Sequence, residues 1–412
     1  MNLASLALQG LLLIPVVVGA AYALIRLGAV AWFALRRPWR EPGDGSGSHS
    51  VADSAQNVSS EGPSSPNSYA PPVTLLKPVY GLEKNLEECL RSACLQDYPE
   101  YQVLISLQRP DDPALPLLRK LETEFGSERV TITIAKGEPR ANGKVFNVSN
   151  AMPEARHELL VLSDSDVRLR PNFLRVIVAP LRDSAIGYAC TIYRGRNAHS
   201  WHERVELLSL HDLMANVIFA HSTGASDFCL GSSMAFRRSS LDAIGGFEPL
   251  ENYLVEDFEM GRRIQELGLG IALVAYSVDT MIDLDSVRDW WRHQLYLELN
   301  NRMARPIGFF ATIVIQPLPF ALLLCLYRLF DPLSLGILVG SILLRLVTTG
   351  LSMPLMGERE GLRNLLFMPL RDLAASASWL LALRMSTVTW RGVEFRLGRD
   401  GRMVPLVRDR SG

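Results

Sequence analysis

The sequence contains little cysteine and carries almost no net charge. Its five cysteines are scattered over 412 residues without a Cys-x-x-Cys pair. This argues against a zinc site or a disulfide framework and is typical of reduced thiols in a cytoplasmic compartment. The formal net charge is -1, so bulk charge offers no attraction for a nucleic-acid backbone. We therefore expect no nucleic-acid partner.

Long apolar runs, by contrast, are concentrated near the two ends of the chain. Hydrophobic residues make up 48% and the mean hydropathy is +0.12, which is high for a soluble enzyme. The run Leu3–Leu35 has Arg26 as its only charge and exceeds the ~20 residues that span a bilayer. Its length and neutral start favour a retained anchor over residues 1–36 rather than a cleaved signal peptide. Positive charges that favour the cytoplasmic side follow it directly: Arg36, Arg37 and Arg40.

The middle of the chain divides into a linker and a folded domain. Residues 37–70 are rich in Ser, Gly, Pro and Asn, which predicts a flexible linker because little apolar surface is available for burial. Residues 71–286 alternate apolar strands with helical periodicity, which predicts an α/β domain with a mostly parallel sheet covered on both faces. The predicted strands are Val73–Leu76, Tyr101–Leu107, Val130–Ile134 and Leu159–Leu162, and the predicted helices are Leu82–Leu95 and Leu115–Phe125.

The segment that follows the folded domain is aromatic and basic. It contains Trp290 and Trp291, and aromatic rings of this kind prefer the bilayer interface. We predict an interfacial amphipathic helix over residues 287–306, which acts either as an anchor alone or as a wall that contacts substrate. The last residues, 387–412, form a basic tail that we expect in the cytoplasm.

A C-terminal membrane region is predicted over residues 307–386. Two apolar runs have spanning length, and in a third run Arg371 and Asp372 interrupt the pattern. A charged pair at mid-bilayer is costly unless it is buried in protein or lies at the interface. The three runs are Ile307–Leu329, Leu333–Leu355 and Leu362–Met385.

Two aspartates follow the apolar strand at Leu159–Leu162. Asp164 and Asp166 are two residues apart, so in an extended chain their side chains point the same way. Paired carboxylates suit Mg²⁺ or Mn²⁺, which in turn bind a diphosphate. The alternative is a polar turn, but ligands bind beyond the carboxyl ends of parallel strands, which favours a site.

An acidic segment follows a turn built on two glycines. Asp257 is a candidate general base that removes a proton from an acceptor hydroxyl, and Glu256 is a candidate for sharing that role. The alternative is an acidic helix N-terminus, where carboxylates favour the positive end of the helix dipole. Lys144 is a candidate for neutralising donor phosphate, with a solvated loop lysine as the alternative. Gly231 is a position where the backbone can approach a ligand closely.

Together these segments resemble the ceramide glucosyltransferase family, including bacterial members linked to hopanoid lipid glycosylation. The resemblance covers residues 73–305 and implies a GT-A-type domain and inverting transfer from a UDP-sugar. It implies that Asp164 and Asp166 bind the metal and diphosphate and that Asp257 is the base. Asn142 and Lys144 fall in the family's Asn-x-Lys stretch, which the resemblance assigns to donor binding.

The chain departs from the family pattern at two places. Arg109 occupies the position of an expected nucleotide-facing carboxylate, for which Asp111 or Asp112 is the candidate substitute. The family's Arg-Trp pair near the membrane is absent, and the equivalent segment contains Tyr296 and Leu297. In the family that pair helps to hold the donor diphosphate and to shape the acceptor site.

The sequence therefore predicts a glycosyltransferase that moves a hexose or N-acetylhexosamine from a UDP-sugar to a ceramide- or hopanoid-like membrane lipid. The resemblance implies an integral protein of the bacterial inner membrane with its catalytic domain on the cytoplasmic face. Two alternatives remain: a non-catalytic membrane scaffold that keeps the fold, and a processive polysaccharide synthase. The small number of spans argues against the synthase.

Overall fold

The structure, a computed structural model, describes residues 3–36, 69–225, 229–390 and 393–406. A long apolar helix, α1 (Leu3–Leu35), is followed by a domain in which strands and helices alternate. The strands are β1 (Val73–Val79), β2 (Tyr101–Leu107), β3 (Val130–Ile134), β4 (Leu159–Ser163), β5 (Val167–Arg168), β6 (Ile186–Arg196), β7 (Ser233–Arg237) and β8 (Gly270–Met281). The helices are α2 (Leu86–Cys94), α3 (Leu115–Phe125), α4 (Gly143–Ala151), α5 (Phe173–Val178), α6 (Trp201–Ser222), α7 (Arg238–Ala243) and α8 (Glu256–Glu266).

The eight strands form one mixed sheet in the order β3-β2-β1-β4-β7-β6-β8-β5. The pairs β1–β2, β1–β4, β2–β3 and β6–β8 are parallel, and β7 runs antiparallel to both β4 and β6. Every residue of β1 and β2 is buried, as expected for strands covered on both faces. The predicted α/β domain with a mostly parallel sheet is confirmed.

Local sequence explains where the elements begin and end. The predicted bounds of β2, β3 and α3 agree with the structure. The helix predicted over Leu82–Leu95 begins only at Leu86. The turn before it contains Gly81 at φ 74°, a left-handed conformation that glycine adopts without steric cost and that a helix excludes.

Side chains alternate between two cores, one on each face of the sheet. Leu75 and Val161 belong to the core under α2, α3 and α5, whereas Leu76 and Leu160 belong to the core under α4 and α6. The period-2 alternation of strand side chains produces this division. Both cores hold the sheet rigid, so the loops at the carboxyl ends of β1 and β4 have fixed positions.

Apolar helices flank this domain. After α9 (Val287–Ala304) come α10 (Pro306–Val314), α11 (Pro317–Tyr327), α12 (Pro332–Leu355), the short 3₁₀ segment Arg359–Phe367 and α13 (Met368–Ala382). Within the described residues, three helices are long and apolar enough to cross a membrane: Leu3–Leu35, Pro332–Leu355 and Gly361–Ala382. The helices α10 and α11 are bent by 44° and make up a fourth candidate if they count together.

The run Ile307–Leu329, predicted as one span, is therefore two helices. Pro317 begins α11. A proline cannot donate the backbone hydrogen bond that would continue the preceding helix, and its ring clashes with the carbonyl four residues earlier. Gly19 of α1 packs at this break, since a Cβ there would lie 2.8 Å from the Pro317 ring. The bend thus lets α1 approach closely.

Arg371 and Asp372 are not exposed to lipid but join an ion network, called here the arginine–aspartate cluster. Its members come from α1, α6, α12 and α13, namely Arg26, Asp212, Arg345, Arg371 and Asp372. Asp212 accepts from three guanidinium groups at 2.8, 2.9 and 2.6 Å. Burial of the pair among protein helices is one of the two arrangements that the sequence analysis allowed.

Among the described residues from 387 to 406, three strands form a small antiparallel sheet, β9 (Thr387–Trp390), β10 (Val393–Leu397) and β11 (Met403–Pro405). It packs on the rest of the protein through Phe395 and Met403, which join Leu254 and Leu299 in one apolar cluster. The N–H of Met403 donates to the carbonyl of Asn252 at 2.7 Å. Part of the segment predicted as a basic tail therefore covers part of the α/β domain.

Most of the predicted linker, residues 37–68, lies outside the described residues, as do Arg37, Arg40, Arg408 and Arg410. The predicted interfacial helix at 287–306 corresponds to α9. That helix borders the cavity described next.

Candidate active site

The loop after β4 brings Asp164 and Asp166 to a large cavity. The N–H of Asp164 donates to the carbonyl of Ser232 at 3.1 Å, which ties this loop to the start of β7. Ser165 lies between the two carboxylates and donates to Glu83 at 3.0 Å. Both aspartates line a cavity of about 700 Å³ at the carboxyl end of the parallel strands, where ligands bind in sheets of this kind.

A buried lysine supports this loop from below, and the sequence analysis missed it. Lys77 Nζ donates to Ser163 Oγ at 3.0 Å, to the carbonyl of Asp164 at 2.7 Å and to that of Val167 at 3.1 Å. Burial lowers the pKa of Lys77. The available signal was a lysine inside the apolar run of β1, which is costly there unless its hydrogen bonds are satisfied.

Lys144 connects the two acidic segments. Its ammonium lies 2.8 Å from Asp164 and 3.0 Å from Glu256, and it donates to the carbonyl of Gly231 at 3.2 Å. Burial alone would lower the pKa of Lys144, but the two carboxylates outweigh burial and raise it well above its usual value. Lys144 is therefore a fixed positive charge on the cavity wall.

Asn142 does not line the cavity and instead positions residues that do. Its side-chain oxygen accepts from the N–H of Val145 and caps α4. Its amide group donates to the carbonyl of Tyr253 and to Glu256, both at 3.0 Å. The cap fixes Lys144 in the first turn of α4, and the amide fixes the carboxylate that Lys144 pairs with.

Asp257 lines the same cavity from the first turn of α8. Burial and the neighbouring Glu256 carboxylate raise the pKa of Asp257 to about 7. Gly231 passes close to it, because a Cβ added at Gly231 would lie 2.8 Å from Asp257 Oδ2. The glycine noted in the sequence thus makes room for the carboxylate of Asp257.

The opposite wall is α9, where a histidine was missed. His293 Nδ1 lies 3.0 Å from Glu206 of α6, a fully buried carboxylate that also accepts from Gln294. Burial alone would lower the pKa of His293, but Glu206 outweighs burial and raises it. Arg292 also borders the cavity, with most of its side chain exposed. Only the fold brings α6 beside α9, so sequence alone gave no signal for the pair.

The candidate substitutes Asp111 and Asp112 do not border this cavity. Asp111 is exposed and pairs with Arg109 at 3.5 Å. Asp112 is buried, and its carboxylate accepts from the N–H groups of Gly81 and Ala114. Asp112 therefore stabilises the turn between β1 and α2. Its position in a loop did not allow this structural role to be predicted from the sequence.

The donor set at Asp164 and Asp166 fits a divalent cation that is completed by substrate. The described residues contain no group of three or more His, Cys, Asp or Glu side chains arranged to hold a metal. Magnesium ions bound with nucleotides use one or two carboxylates, and the remaining ligands are phosphate oxygens and water. Burial and the nearby carboxylates of Asp164 and Glu83 raise the pKa of Asp166 to about 7, so this wall is rich in negative charge.

The sheet order and the acidic loop after its central strand define a GT-A-type glycosyltransferase domain. A sequence profile described as glycosyl transferase family 21 matches residues 48–403. The chain belongs to this family. The predictions of a ceramide glucosyltransferase-like family and of a glycosyltransferase are thereby confirmed at the level of the family.

The chain is similar to known ceramide glucosyltransferases. Ceramide glucosyltransferase 1 of Caenorhabditis elegans is 25% identical over 210 residues, which is 50% of this chain and 45% of the relative. Ceramide glucosyltransferase 3 of the same organism is 22% identical over 82% of this chain and 75% of the relative. The chain thus matches less than half of the first relative's length and three quarters of the second's.

Solved structures of glycosyltransferases are also similar at low sequence identity. A mannosyltransferase from Pyrobaculum calidifontis, in complex with GDP-Man and Mn²⁺, is 17% identical with a TM-score of 0.48. The match covers 90% of this chain and 99% of that one. Glucosyl-3-phosphoglycerate synthase from Mycobacterium tuberculosis, with Mn²⁺, UDP and phosphoglyceric acid, is 17% identical with a TM-score of 0.37 over 56% of this chain and 78% of that one.

Proposed function

We propose that this chain is an inverting glycosyltransferase that moves a hexose or N-acetylhexosamine from a UDP-sugar to a hydroxyl group of a membrane lipid. The observation that carries the proposal is the convergence of Asp164, Asp166, Lys144 and Asp257 on one cavity bordered by α9. The family assignment and the candidate membrane spans support it. A lipid acceptor, ceramide- or hopanoid-like, accounts for the apolar helices around a nucleotide-sugar site.

The donor diphosphate binds between two walls of the cavity. Lys144 supplies positive charge from α4 and Arg292 supplies it from α9, and His293 adds to it when protonated. Asp164 and Asp166 would hold Mg²⁺ or Mn²⁺, which neutralises the charge that builds on the departing UDP. The cations of α9 take over part of the work that the Arg-Trp pair does elsewhere in the family.

Asp257 acts as general base. The acceptor oxygen forms a bond to the anomeric carbon while the bond from that carbon to the diphosphate oxygen breaks. The acceptor proton passes to Asp257, and UDP leaves with the bonding electrons. A single displacement of this kind inverts the anomeric configuration. A base with a pKa of about 7 is suited to this task, because it is substantially ionised near neutral pH and still accepts a proton.

Glu256 is the less suitable base because its oxygens are already engaged. One pairs with Lys144 and the other accepts from Asn142, each at 3.0 Å. Asp257 instead accepts only from the N–H of Phe258 among the hydrogen bonds of the described chain. Glu256 therefore positions Lys144 and, as a like charge, keeps Asp257 basic.

We further propose that the protein resides in a bacterial inner membrane with the cavity on the cytoplasmic face. Arginine residues directly after α1 support this orientation, because positive charge next to a span favours the cytoplasm. Single cysteines introduced at Arg36 and at Gln9, the opposite end of α1, should differ in labelling by an impermeant maleimide. Labelling at position 36 from outside intact cells would contradict the proposed orientation.

The test of function is transfer by the full chain in detergent. UDP-glucose and UDP-N-acetylglucosamine are supplied with ceramide, a hopanoid or diacylglycerol, and the product is identified by mass spectrometry. We expect one added sugar per lipid, dependence on Mg²⁺ or Mn²⁺, and loss of transfer in Asp257→Asn. No transfer and no nucleotide-sugar binding across the panel would support the scaffold, and products with many sugars would support the synthase.

A further inference from the structure

A second, smaller cavity of about 110 Å³ lies beside the catalytic cavity. The two are bordered by adjacent faces of α9, and Leu297 borders both. The face toward the smaller cavity carries Gln294, Glu298 and Asn301, whose spacing of three to four residues places them in one row. The two cavities are therefore neighbours along α9, with Leu297 between them.

One wall of the smaller cavity is the arginine–aspartate cluster. Arg345 contacts Asp212 and Asp372, both at 2.9 Å. Arg26 contacts Asp212 at 2.8 Å. These charges satisfy one another, and the helices that carry them are held in place by the pairs. The cluster therefore makes a polar wall of fixed shape among apolar helices.

The other wall has polar groups that the protein does not use. Glu298 and Asn301 are half-buried, and neither side chain makes a hydrogen bond or an ion pair with the rest of the described chain. Burial raises the pKa of Glu298 to about 7. Polar groups taken out of water are costly without partners. A carboxyl and a carboxamide one helical turn apart are suited to a ligand that offers both hydroxyl and amide groups.

The charge balance of the cavity selects against ions. The lining has three arginines and two carboxyl groups, Asp212 and Glu298, and Asp372 neutralises Arg345 from outside the lining. Most of the remaining polar lining consists of uncharged hydroxyl and amide side chains. These uncharged side chains are Ser209, Asn216, Gln294, Thr312 and Gln316. Because α1, α12 and α13 around the cavity are apolar, an uncharged ligand reaches the cavity most readily from the lipid phase.

We propose that the smaller cavity binds the amide group and a non-reacting hydroxyl of the acceptor lipid, with Glu298 and Asn301 as its recognition residues, while the reacting hydroxyl lies in the catalytic cavity. The volume of about 110 Å³ holds a headgroup of a few polar atoms and leaves the lipid chains among the apolar helices. The identity of the ligand as acceptor rests on the proposed function. The site itself rests on the two unused side chains and their shared cavity.

The test measures lipid binding without donor. The full chain in detergent is titrated with a fluorescently labelled ceramide and with a diacylglycerol carrying the same label. We expect tighter binding of ceramide, and a loss of about tenfold in ceramide affinity for Glu298→Ala and for Asn301→Ala, the value of one hydrogen bond at a desolvated site. Glu298→Gln keeps hydrogen-bonding groups and should retain most of the affinity. Arg288→Ala, exposed on α9 and outside both cavities, is the matched control.

Kinetics separate this site from the catalytic cavity. In both alanine variants the KM for ceramide should rise about tenfold while the KM for the UDP-sugar stays constant. Unchanged ceramide affinity in both variants, equal binding of the two lipids, or a parallel rise of both KM values would overturn the inference. Binding of ceramide through Glu298 without any transfer would instead defeat the proposed function and leave this site standing. Thermal unfolding identifies an alanine variant that fails to fold, and the affinity of the other alanine variant then decides.

Discussion

The catalytic cavity and the arginine–aspartate cluster both concentrate charge, but they balance it in different ways. In the cluster, Asp212 contacts three guanidinium groups and is almost completely buried. In the cavity, neither Asp166 nor Asp257 forms an ion pair with the rest of the described chain, although each is close to further carboxylates. Charge that the protein itself neutralises joins helices, whereas charge that it leaves unneutralised is available to cationic and proton-bearing ligands.

The largest effect that the comparison predicts is on catalysis. Asp257→Asn keeps the shape of the side chain but removes its ability to accept a proton. We expect kcat to fall about 10² to 10⁴-fold, the usual contribution of a general base. The KM for the UDP-sugar should change little, and so should thermal stability. A variant with near wild-type kcat would move the role of base to another residue, with Glu256 as the first candidate.

The second effect concerns stability, which we expect to fall more when a carboxylate is removed from the arginine–aspartate cluster than from the catalytic cavity. Asp212→Asn leaves three buried guanidinium groups without their shared carboxylate. Breaking a buried pair in this way costs about 3–5 kcal/mol, measured as unfolding of the detergent-solubilised protein. Asp166→Asn is the matched variant, because it removes a carboxylate from a cavity in which neighbouring carboxylates repel one another. It should unfold no earlier than wild type while losing metal-dependent transfer. Equal destabilisation by the two changes would show that both sites are structural.

A third, smaller effect tests how closely the backbone at Gly231 packs against Asp257. In Gly231→Ala the new Cβ meets Asp257 Oδ2 at 2.8 Å, so the carboxylate has to rotate away from its position. An off-rotamer side chain costs about 0.5–1.5 kcal/mol, which corresponds to a loss of about two- to tenfold in kcat. Gly336→Ala is the control, because nothing lies within 4 Å of a Cβ there. Equal activity of the two variants would place the reacting atoms elsewhere in the cavity.

Features that depend on local sequence were predictable. The strand that ends just before Asp164, the periodic helix α3 and the apolar helices near both ends of the chain follow from patterns over a few residues. The break before Pro317 was readable as well, because a proline inside an apolar run ends or bends a helix. Length alone does not reveal this break.

Features that depend on contacts between distant segments were not predictable. His293 and Glu206 are 87 positions apart, and Lys77 reaches Asp164 across 87 positions. No periodicity reports such pairs. Asp112 is a case in which the local sequence is ambiguous. A carboxylate just before a helix can either accept from backbone N–H groups or bind a ligand. Only its two hydrogen bonds to backbone N–H groups decide between these uses.

The smallest predicted effect is a shift of the pH profile in variants of Glu256 and Asn142, which distinguishes Asp257 from the other carboxylates of the cavity. The base is active when deprotonated, so kcat/KM should be constant above a pKa of about 7, halved at that pH, and about tenfold lower for each pH unit below it. Glu256→Gln removes the neighbouring like charge, so the pKa of Asp257 falls and the acid limb moves to lower pH. Asn142→Ala, which disturbs the position of Glu256 but not its charge, should move the limb less. An acid limb that stays in place in Glu256→Gln would mean that a group remote from Glu256 controls the rate.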